Sequence, residues 1–517
     1  MPAEHVGDIA LESRVPLRPA IPESHPAHLA TIAALMGLQP PRLDSACVLE
    51  IGCGDGGNLI PLATAMPKAS FVGEDRHART IEVCQEIANE LGLENLRFRD
   101  SANSETAHRK RGDTFDYIII GEDLAGYSDS ALDACLAACQ SRLRPNGLIY
   151  VSYAALPGST MSGVVAELAR FVARKEAEPE AKEERVRSVL RLISDELPSQ
   201  RASYTRLFRE EADRVLDLEA SCDDAMSRLE HFQPRFYHEV EAAANRNGLR
   251  QLADARLGSW LCTQPSELRH VLEFASDDPV EREQFLDFLR NRKHRRAVLT
   301  HSGAERRDEP RLEGVERLLA RAAALPTHDD LDVATPSPTL YVSTRKNKTH
   351  VVTFPYLKAV LAVLAEAWPR SLPTSQVIGR ARERLSARSL LVPEQGSDAW
   401  ASLIIQATAA GLTELFIWEP SVGSERCEHP RASDLARLQA RADRPITNLR
   451  HQTVHLDADE RALIQCLDGT SHRDELSERL GHLVGNGHLP GADGRGEIID
   501  QMLASLAANS LVMENSR

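Results

Sequence analysis

Apolar and polar positions divide the chain into regions with different periods. Between residues 46 and 153, short apolar runs alternate with amphipathic stretches. VLEI (48–51), SFVGED (70–75), NLRFRD (95–100), FDYIIIGED (115–123) and GLIYVSY (147–153) have the length and composition of strands. Leu59, Ile60, Leu62 and Ala63 mark a helix after the first strand, and ARTIEVCQEIANELG (78–92) is amphipathic and ends at Gly92. A helix rich in Ala, Leu and Cys precedes the turn Pro145-Asn146-Gly147. This alternation predicts an α/β fold, a doubly wound sheet of parallel strands.

The pattern changes after residue 159. Residues 160–232 are helical and highly charged, with no strand signal. Beyond the helix RFYHEVEAAANRNG (235–248), LRQLADARL (249–257) and RRAVLTH (295–301) read as strands that close the first sheet. Helical inserts then occupy 160–232 and 264–294. Residues 304–350 look like a connector around one helix, 312–325. Two modules with the order helix, helix, helix, strand follow at 351–420 and 446–517, which is a winged-helix-like α+β order. The first has an apolar stripe at Leu357, Val360, Leu361, Leu364 and Trp368, a third helix at 399–410 and the strand LTELFIW (412–418). The second opens with the cap pair Asp457 and Glu460 on helix 458–467. Helix 472–484, a glycine-rich loop (485–496), helix 497–509 and LVM (511–513) complete it. The expected organisation is therefore a core with an N-terminal helical lead (1–159), a helical insertion (160–232), a region supplying the closing strands (233–303), the connector and the two modules.

Composition narrows the partners. A chain of 517 residues with 42% hydrophobic content supports two to four packed domains. A formal charge of −15 argues against nucleic acid, whose phosphates call for a basic surface. The third helices of the modules, AWASLIIQATAA (399–410) and EIIDQMLASLAAN (497–509), carry no Lys or Arg, so protein contact suits them better than a DNA groove. Nine cysteines without CxxC spacing fit a reducing cytoplasm. The N-terminus lacks a signal-peptide pattern, and no run reaches the length of a membrane span.

The chemistry concentrates in VLEIGCGDGGN (48–58), where a strand breaks into glycines and then a helix. Gly52, Gly54 and Gly56 allow a tight turn and close backbone approach, and the helix start offers free amides. Glu50 precedes the loop, and Glu74-Asp75 ends the second strand, where an acid can bridge ribose hydroxyls. Asp55 at the helix start would oppose a pyrophosphate but tolerate a cationic sulfonium, which favours S-adenosylmethionine over a dinucleotide.

With these residues in place, VLEIGCGDGGN, ASFVGED, FDYIII and LRPNGLIYVSY together resemble a class I S-adenosylmethionine-dependent methyltransferase. PESHPAHLA (22–30), PRFYHEVEAAANRNGLRQLADA (234–255), QFLDFLRNRKHRRAVL (284–299), FPYLKAVLAVLAEAWPRSLP (354–373) and TNLRHQTVHLDADERALIQCLDGT (447–470) narrow the resemblance. It is to bacterial methyltransferases that join this core to a methyltransferase regulatory domain, a group including lysine methyltransferases of outer-membrane proteins. The resemblance implies S-adenosylmethionine as cofactor and a protein or peptide substrate, with a lysine amine as acceptor. It implies that Gly52, Cys53, Gly54, Gly56, Asn58 and Gly121 line the cofactor, that Glu50 orients its amino group and that Asp75 holds its ribose. Asp100 stands nearest the adenine, although the family's acid falls at Ala102 here.

Two segments depart from the family pattern. After the fourth strand the chain reads Gly121-Glu122-Asp123-Leu124-Ala125-Gly126-Tyr127, without the family's His and aromatic residues. After the fifth it reads Tyr153-Ala154-Ala155-Leu156-Pro157-Gly158-Ser159, without its Asn and Trp. Both lie where an α/β sheet builds its acceptor pocket. Glu122 and Asp123 are placed to draw in an amine or take its proton, and Tyr153 either lines that pocket or packs. Besides protein methylation, a cofactor- or partner-binding scaffold and small-molecule methylation stay open. The C-terminal modules would recognise a large substrate or mediate self-association. The basic run Arg290-Asn291-Arg292-Lys293-His294-Arg295-Arg296 reads as a solvated helix end, and His238 as a structural histidine rather than a metal ligand.

Overall fold

The alternation of residues 46–153 folds into one side of a seven-stranded sheet in a computed structural model. The structure describes residues 18–101, 113–196, 203–219, 229–261, 265–305, 312–328, 331–345, 348–388, 397–423, 427–476, 478–480 and 495–513. Strands β1 (Cys47–Ile51), β2 (Ser70–Asp75), β3 (Leu96–Asp100), β4 (Phe115–Asp123), β5 (Leu143–Ala154), β6 (Leu249–Asp254) and β7 (His294–His301) run in the order β3-β2-β1-β4-β5-β7-β6. The first five pair in parallel, whereas β7 runs antiparallel to both β5 and β6. The two closing strands expected near 249 and 295 are therefore present, and the sheet is mixed at that edge.

Helices cover both faces because the strand side chains are apolar on both. Helices α1 (Pro26–Leu35), α2 (Leu59–Ala65) and α3 (Ala78–Glu90) pack with Val48, Phe71, Tyr117, Ile119 and Tyr150. Helices α4 (Asp129–Arg142) and, beyond the insertion, α8 (Tyr237–Arg246) pack with Leu49, Ile118, Ile120, Ile149, Val151 and Tyr153 on the other face. The insertion is formed by α5 (Thr160–Ala173), α6 (Pro179–Glu196) and α7 (Ser203–Glu219), closed on Val165, Ala169, Val186, Leu190 and Val215. After α9 (Leu257–Trp260), helices α10 (Ser266–Ala275) and α11 (Pro279–Arg290) lead into β7.

The region from 304 to 350 departs from its expected form. The helix expected over 312–325 is one turn, α12 (Leu312–Val315), followed by β8 (Leu319–Ala322) and β9 (Ala324–Pro326). Strand β10 (Thr339–Ser343) pairs antiparallel with both β9 and β11 (Thr349–Val352). The Leu- and Ala-rich sequence favours helix, but β8 lies between β12 (Leu372–Pro373) and β13 (Thr413–Phe416), and that pairing overrides propensity. Residues 319–322 thus belong to the sheet of the first module, whose helices are α13 (Pro355–Ala367), α14 (Thr374–Ser386) and α15 (Ser397–Ala409), while β9 joins the separate sheet of β10 and β11.

The second module reaches further back than residue 446. Strand β14 (Arg431–Ala432) pairs with β17 (Val512–Met513), and α16 (Asp434–Arg441) packs with the module's core. The hairpin β15 (Ile446–Thr447) to β16 (Thr453–Val454), helix α17 (Ala458–Cys466) and helix α18 (Arg495–Ala508) complete the described part. The Asp457–Glu460 capping box forms as expected. The helix expected over 472–484 begins as a 3-10 turn, Arg473–Glu475, while residues 477 and 481–494 fall outside the described residues, and the last two positions of the expected glycine-rich loop, Arg495 and Gly496, already belong to α18.

Candidate active site

The crossover from β1 to α2 builds a cradle. Gly52, Gly54 and Gly56 have φ of 71, 52 and 78°, a region that disfavours residues with a Cβ. The Gly52 amide donates to the Glu74 carbonyl at 2.7 Å, and the Gly54 amide donates to Asp75 Oδ2 at 2.9 Å. Asp75 Oδ1 accepts from the His77 amide at 3.0 Å, so two backbone amides fix this carboxylate at the end of β2. Asp100 is its register neighbour on β3. Glu74 takes a separate role, accepting a bidentate pair from Arg142 at 2.9 and 2.7 Å. Cys53 and Cys84 are buried beneath the loop.

Glu50 lies in this cradle, 1% exposed. Its Oε1 accepts from Asn58 Nδ2 at 2.9 Å, whereas its Oε2 is buried without a hydrogen-bond partner. Burial pushes its carboxyl up to about 8, only partly offset by the Asn58 hydrogen bond. An unpartnered buried carboxylate oxygen is costly unless a donor reaches it, and an ammonium group suits it. Gly121, on β4, presses on this group: a Cβ there would stand 2.7 Å from Glu50 Oε1 and 2.8 Å from the Gly52 carbonyl. The residues present therefore fit the amino-acid end of S-adenosylmethionine.

The sequence did not mark the second layer of this site. The N-terminal segment crosses the loop, with the Arg18 amide donating to Asp55 Oδ2 at 3.0 Å and the Ile21 amide to Asn58 Oδ1 at 2.9 Å. His451, from the second C-terminal module, reaches the same oxygen at 2.7 Å. PESHPAHLA and TNLRHQT carried the resemblance, but nothing local in them says that they meet Asn58.

The acceptor side is less complete. Glu122 and Asp123 end β4, with a register irregularity between Ile119 and Asp123 against β5. Their side chains lie outside the described set, as does Ala102. Tyr153 is fully buried on the α8 side of the sheet, its hydroxyl without a hydrogen-bond partner, which is the packed alternative. The YAALPGS segment is pinned by the closing region: the Ala155 amide donates to the Lys293 carbonyl at 2.8 Å, and the Leu156 amide to the Arg235 carbonyl at 2.9 Å.

The basic run is solvated at the helix end, at Arg290, Asn291 and Lys293, but not throughout. Arg295 donates to Asp287 at 2.7 and 2.9 Å, Arg292 lies 3.3 Å from the same carboxylate, and all three residues are buried. Strand pairing turns Arg295 inward onto α11, which carries the matching acid. His238 contacts Gln284 through Nδ1 at 3.3 Å. Among the described residues, no cluster of three His, Cys, Asp or Glu is arranged to hold a metal, and no helix is long and apolar enough to cross a membrane.

Comparison with known proteins agrees with this architecture. Three family models match: a methyltransferase domain at 43–211, a predicted methyltransferase regulatory domain at 229–301, and the PKMT C-terminal winged helix domain at 428–515. The chain belongs to the S-adenosylmethionine-dependent methyltransferases that combine these three units. The uncharacterized protein RP789 of Rickettsia prowazekii is 25% identical over 89% of this chain and 83% of its own length. RP028 of the same organism is 31% identical over 37% of this chain and 75% of its own. PKMT2 from Rickettsia typhi, whose structures include one in complex with AdoHcy, has the same fold, with a TM-score of 0.78 at 23% identity over 96% of this chain and 99% of that one.

Proposed function

We propose that this methyltransferase modifies a protein substrate at a lysine amine. The observation that carries the cofactor half of this reading is the buried Glu50, whose Oε2 stands unpartnered inside the glycine cradle. The PKMT-type winged helix and the likeness to PKMT2 support the protein lysine half. S-adenosylmethionine supplies an electrophilic methyl group on a sulfonium, so the protein's task is placement and proton handling.

Glu50 holds the cofactor's ammonium group and Asp75 its ribose hydroxyls, for which Oδ2 retains acceptor capacity beside the Gly54 amide. Asp100 borders the adenine side. The incoming lysine must lose its proton before attack. Glu122 and Asp123, at the end of β4, draw the ammonium in and accept that proton. Substrate protein recognition falls to the C-terminal modules, whose surfaces also offer a route to self-association. A cytoplasmic setting suits the seven free cysteines among the described residues.

Incubating the full chain with labelled S-adenosylmethionine and bacterial protein fractions, outer-membrane proteins included, tests this reading. Methyl-lysine found by peptide mass spectrometry is the expected result. Cofactor binding without transfer to any fraction would favour the scaffold alternative. Asp75→Ala should weaken S-adenosylhomocysteine binding roughly tenfold or more, since it removes charged hydrogen-bond acceptors. Gly121→Ala should do the same by crowding Glu50, again about tenfold, and should lower the thermal midpoint as well because the added Cβ also meets the Gly52 carbonyl; an unchanged Kd in calorimetry would refute the crowding argument.

A further inference from the structure

The second C-terminal module reaches into the cofactor cradle. Its β15–β16 hairpin places His451 Nε2 2.7 Å from Asn58 Oδ1, a contact spanning 393 residues of sequence. His451 is 1% exposed and has φ of 61°, a backbone state that a residue with a Cβ adopts only when its surroundings impose it. The surroundings do so here. Asn448 Oδ1 accepts from the amides of Arg450 and Gln452 at 3.0 and 2.9 Å, and its Nδ2 donates to the Asn509 carbonyl at 2.9 Å. The Leu449 amide donates to the Ser510 carbonyl at 3.1 Å, so the end of α18 fixes the turn. Leu435 and Leu438 of α16 are buried in the methyltransferase core and anchor the module there.

The proton positions in this contact follow from one unambiguous donor. The Ile21 amide can only donate, so the Asn58 atom it meets at 2.9 Å is the carboxamide oxygen. His451 Nε2, which meets the same oxygen, must therefore carry the proton. Its Nδ1, buried and without a hydrogen-bond partner, carries none. Burial, and then the neighbouring His25, hold the imidazole well below its ordinary pKa and keep it neutral. The carboxamide nitrogen of Asn58 is left to donate to Ser24 Oγ at 3.1 Å and to Glu50 Oε1 at 2.9 Å. Two donors on one side of Asn58, the Ile21 amide and His451 Nε2, thus dictate which way its amide faces Glu50.

We infer that His451 is a positioning residue for the cofactor: through Asn58 it fixes Glu50 so that the carboxylate's other oxygen faces the ligand's ammonium group. This rests on the cradle being the S-adenosylmethionine site. The winged-helix module then completes the cofactor site instead of serving only substrate recognition.

Calorimetric titration of the full-length protein with S-adenosylhomocysteine tests the inference across wild type, His451→Phe, His451→Gln and Glu50→Gln. Phe fills the space without a donor, so binding should weaken about five- to tenfold; Gln keeps an N–H and should bind within about twofold of wild type. In turnover assays, His451→Phe should raise KM for S-adenosylmethionine and leave kcat at saturation unchanged. Wild-type affinity in His451→Phe alongside weakened Glu50→Gln would overturn the role of His451. Equal losses in the Phe and Gln variants would also overturn it, because a donor-independent effect is packing. Wild-type affinity in Glu50→Gln would instead remove the cofactor reading on which the inference stands.

Discussion

Replacing Glu50 with Gln should weaken S-adenosylhomocysteine binding about a hundredfold while leaving the fold intact. Removing one partner of a buried charged contact costs about 2–5 kcal/mol, much of it from the charge left unmatched. Gln matches Glu in size and can still accept from Asn58, so the change is confined to the charge presented to the ammonium. The same site should also show a proton signature. In the unliganded protein, burial pushes the Glu50 carboxyl up to about 8, so it is largely protonated at neutral pH. A folded-state pKa above the ordinary 4.5 means that its contribution to stability is full below that pH and is lost as pH climbs toward 8. An arriving ammonium group, still mostly charged at pH 7 with an amino pKa of roughly 7.7–8.0, favours the carboxylate. Binding at pH 7 should therefore release about one proton, and affinity should rise between pH 6 and 7.5. Calorimetry in buffers of different ionisation enthalpy measures the release. Glu50→Gln should abolish it, and equal proton release in both proteins would show that another group supplies the proton.

The largest loss of stability should come from Asp287→Ala. Asp287 is fully buried on α11 and accepts two bonds from Arg295, with Arg292 at 3.3 Å, while the half-exposed Glu283 accepts a further Arg295 bond at 2.9 Å. The Arg295 guanidinium also lies 4.0 Å from the Tyr237 ring centroid, which ties α8, α11 and β7 together. Deleting the carboxylate leaves two buried guanidinium groups short of their main counter-charge, at a cost of about 3–5 kcal/mol. A chain with several domains does not unfold in one step, so the observable is the thermal transition of the part containing the sheet. It should fall by several degrees. Asp287→Leu combined with Arg295→Met should recover much of the loss, because apolar replacement of a whole buried pair is often tolerated. A single-mutant cost below about 1 kcal/mol would place the cluster among solvent-screened pairs.

Much of the fold was legible because it rests on local period. Five short apolar strands interleaved with amphipathic helices leave few arrangements other than a doubly wound sheet, and all five are found in the positions expected. The cradle was legible for a similar reason. A glycine turn between strand and helix, with Glu50 before it and Asp75 at the neighbouring strand end, is brought together by two adjacent parallel strands. Where the readings failed, a distant partner had overridden a local preference. LLARAAALP has the composition of a helix, yet residues 319–322 form a central strand between β12 and β13. RNRKHRR reads as a solvated patch until α11 supplies Asp287.

The sequence by itself determined the architecture of the core, the glycine cradle and its two acids, because each depends on residues close in the chain or on neighbouring strands. Only the tertiary structure decided that Asn58 is shared by the N-terminal segment, Glu50 and His451. It also decided that Tyr153 packs in the core and that Arg295 is buried. Those outcomes depend on contacts between segments separated by up to 393 residues, and no periodicity encodes which of them will meet.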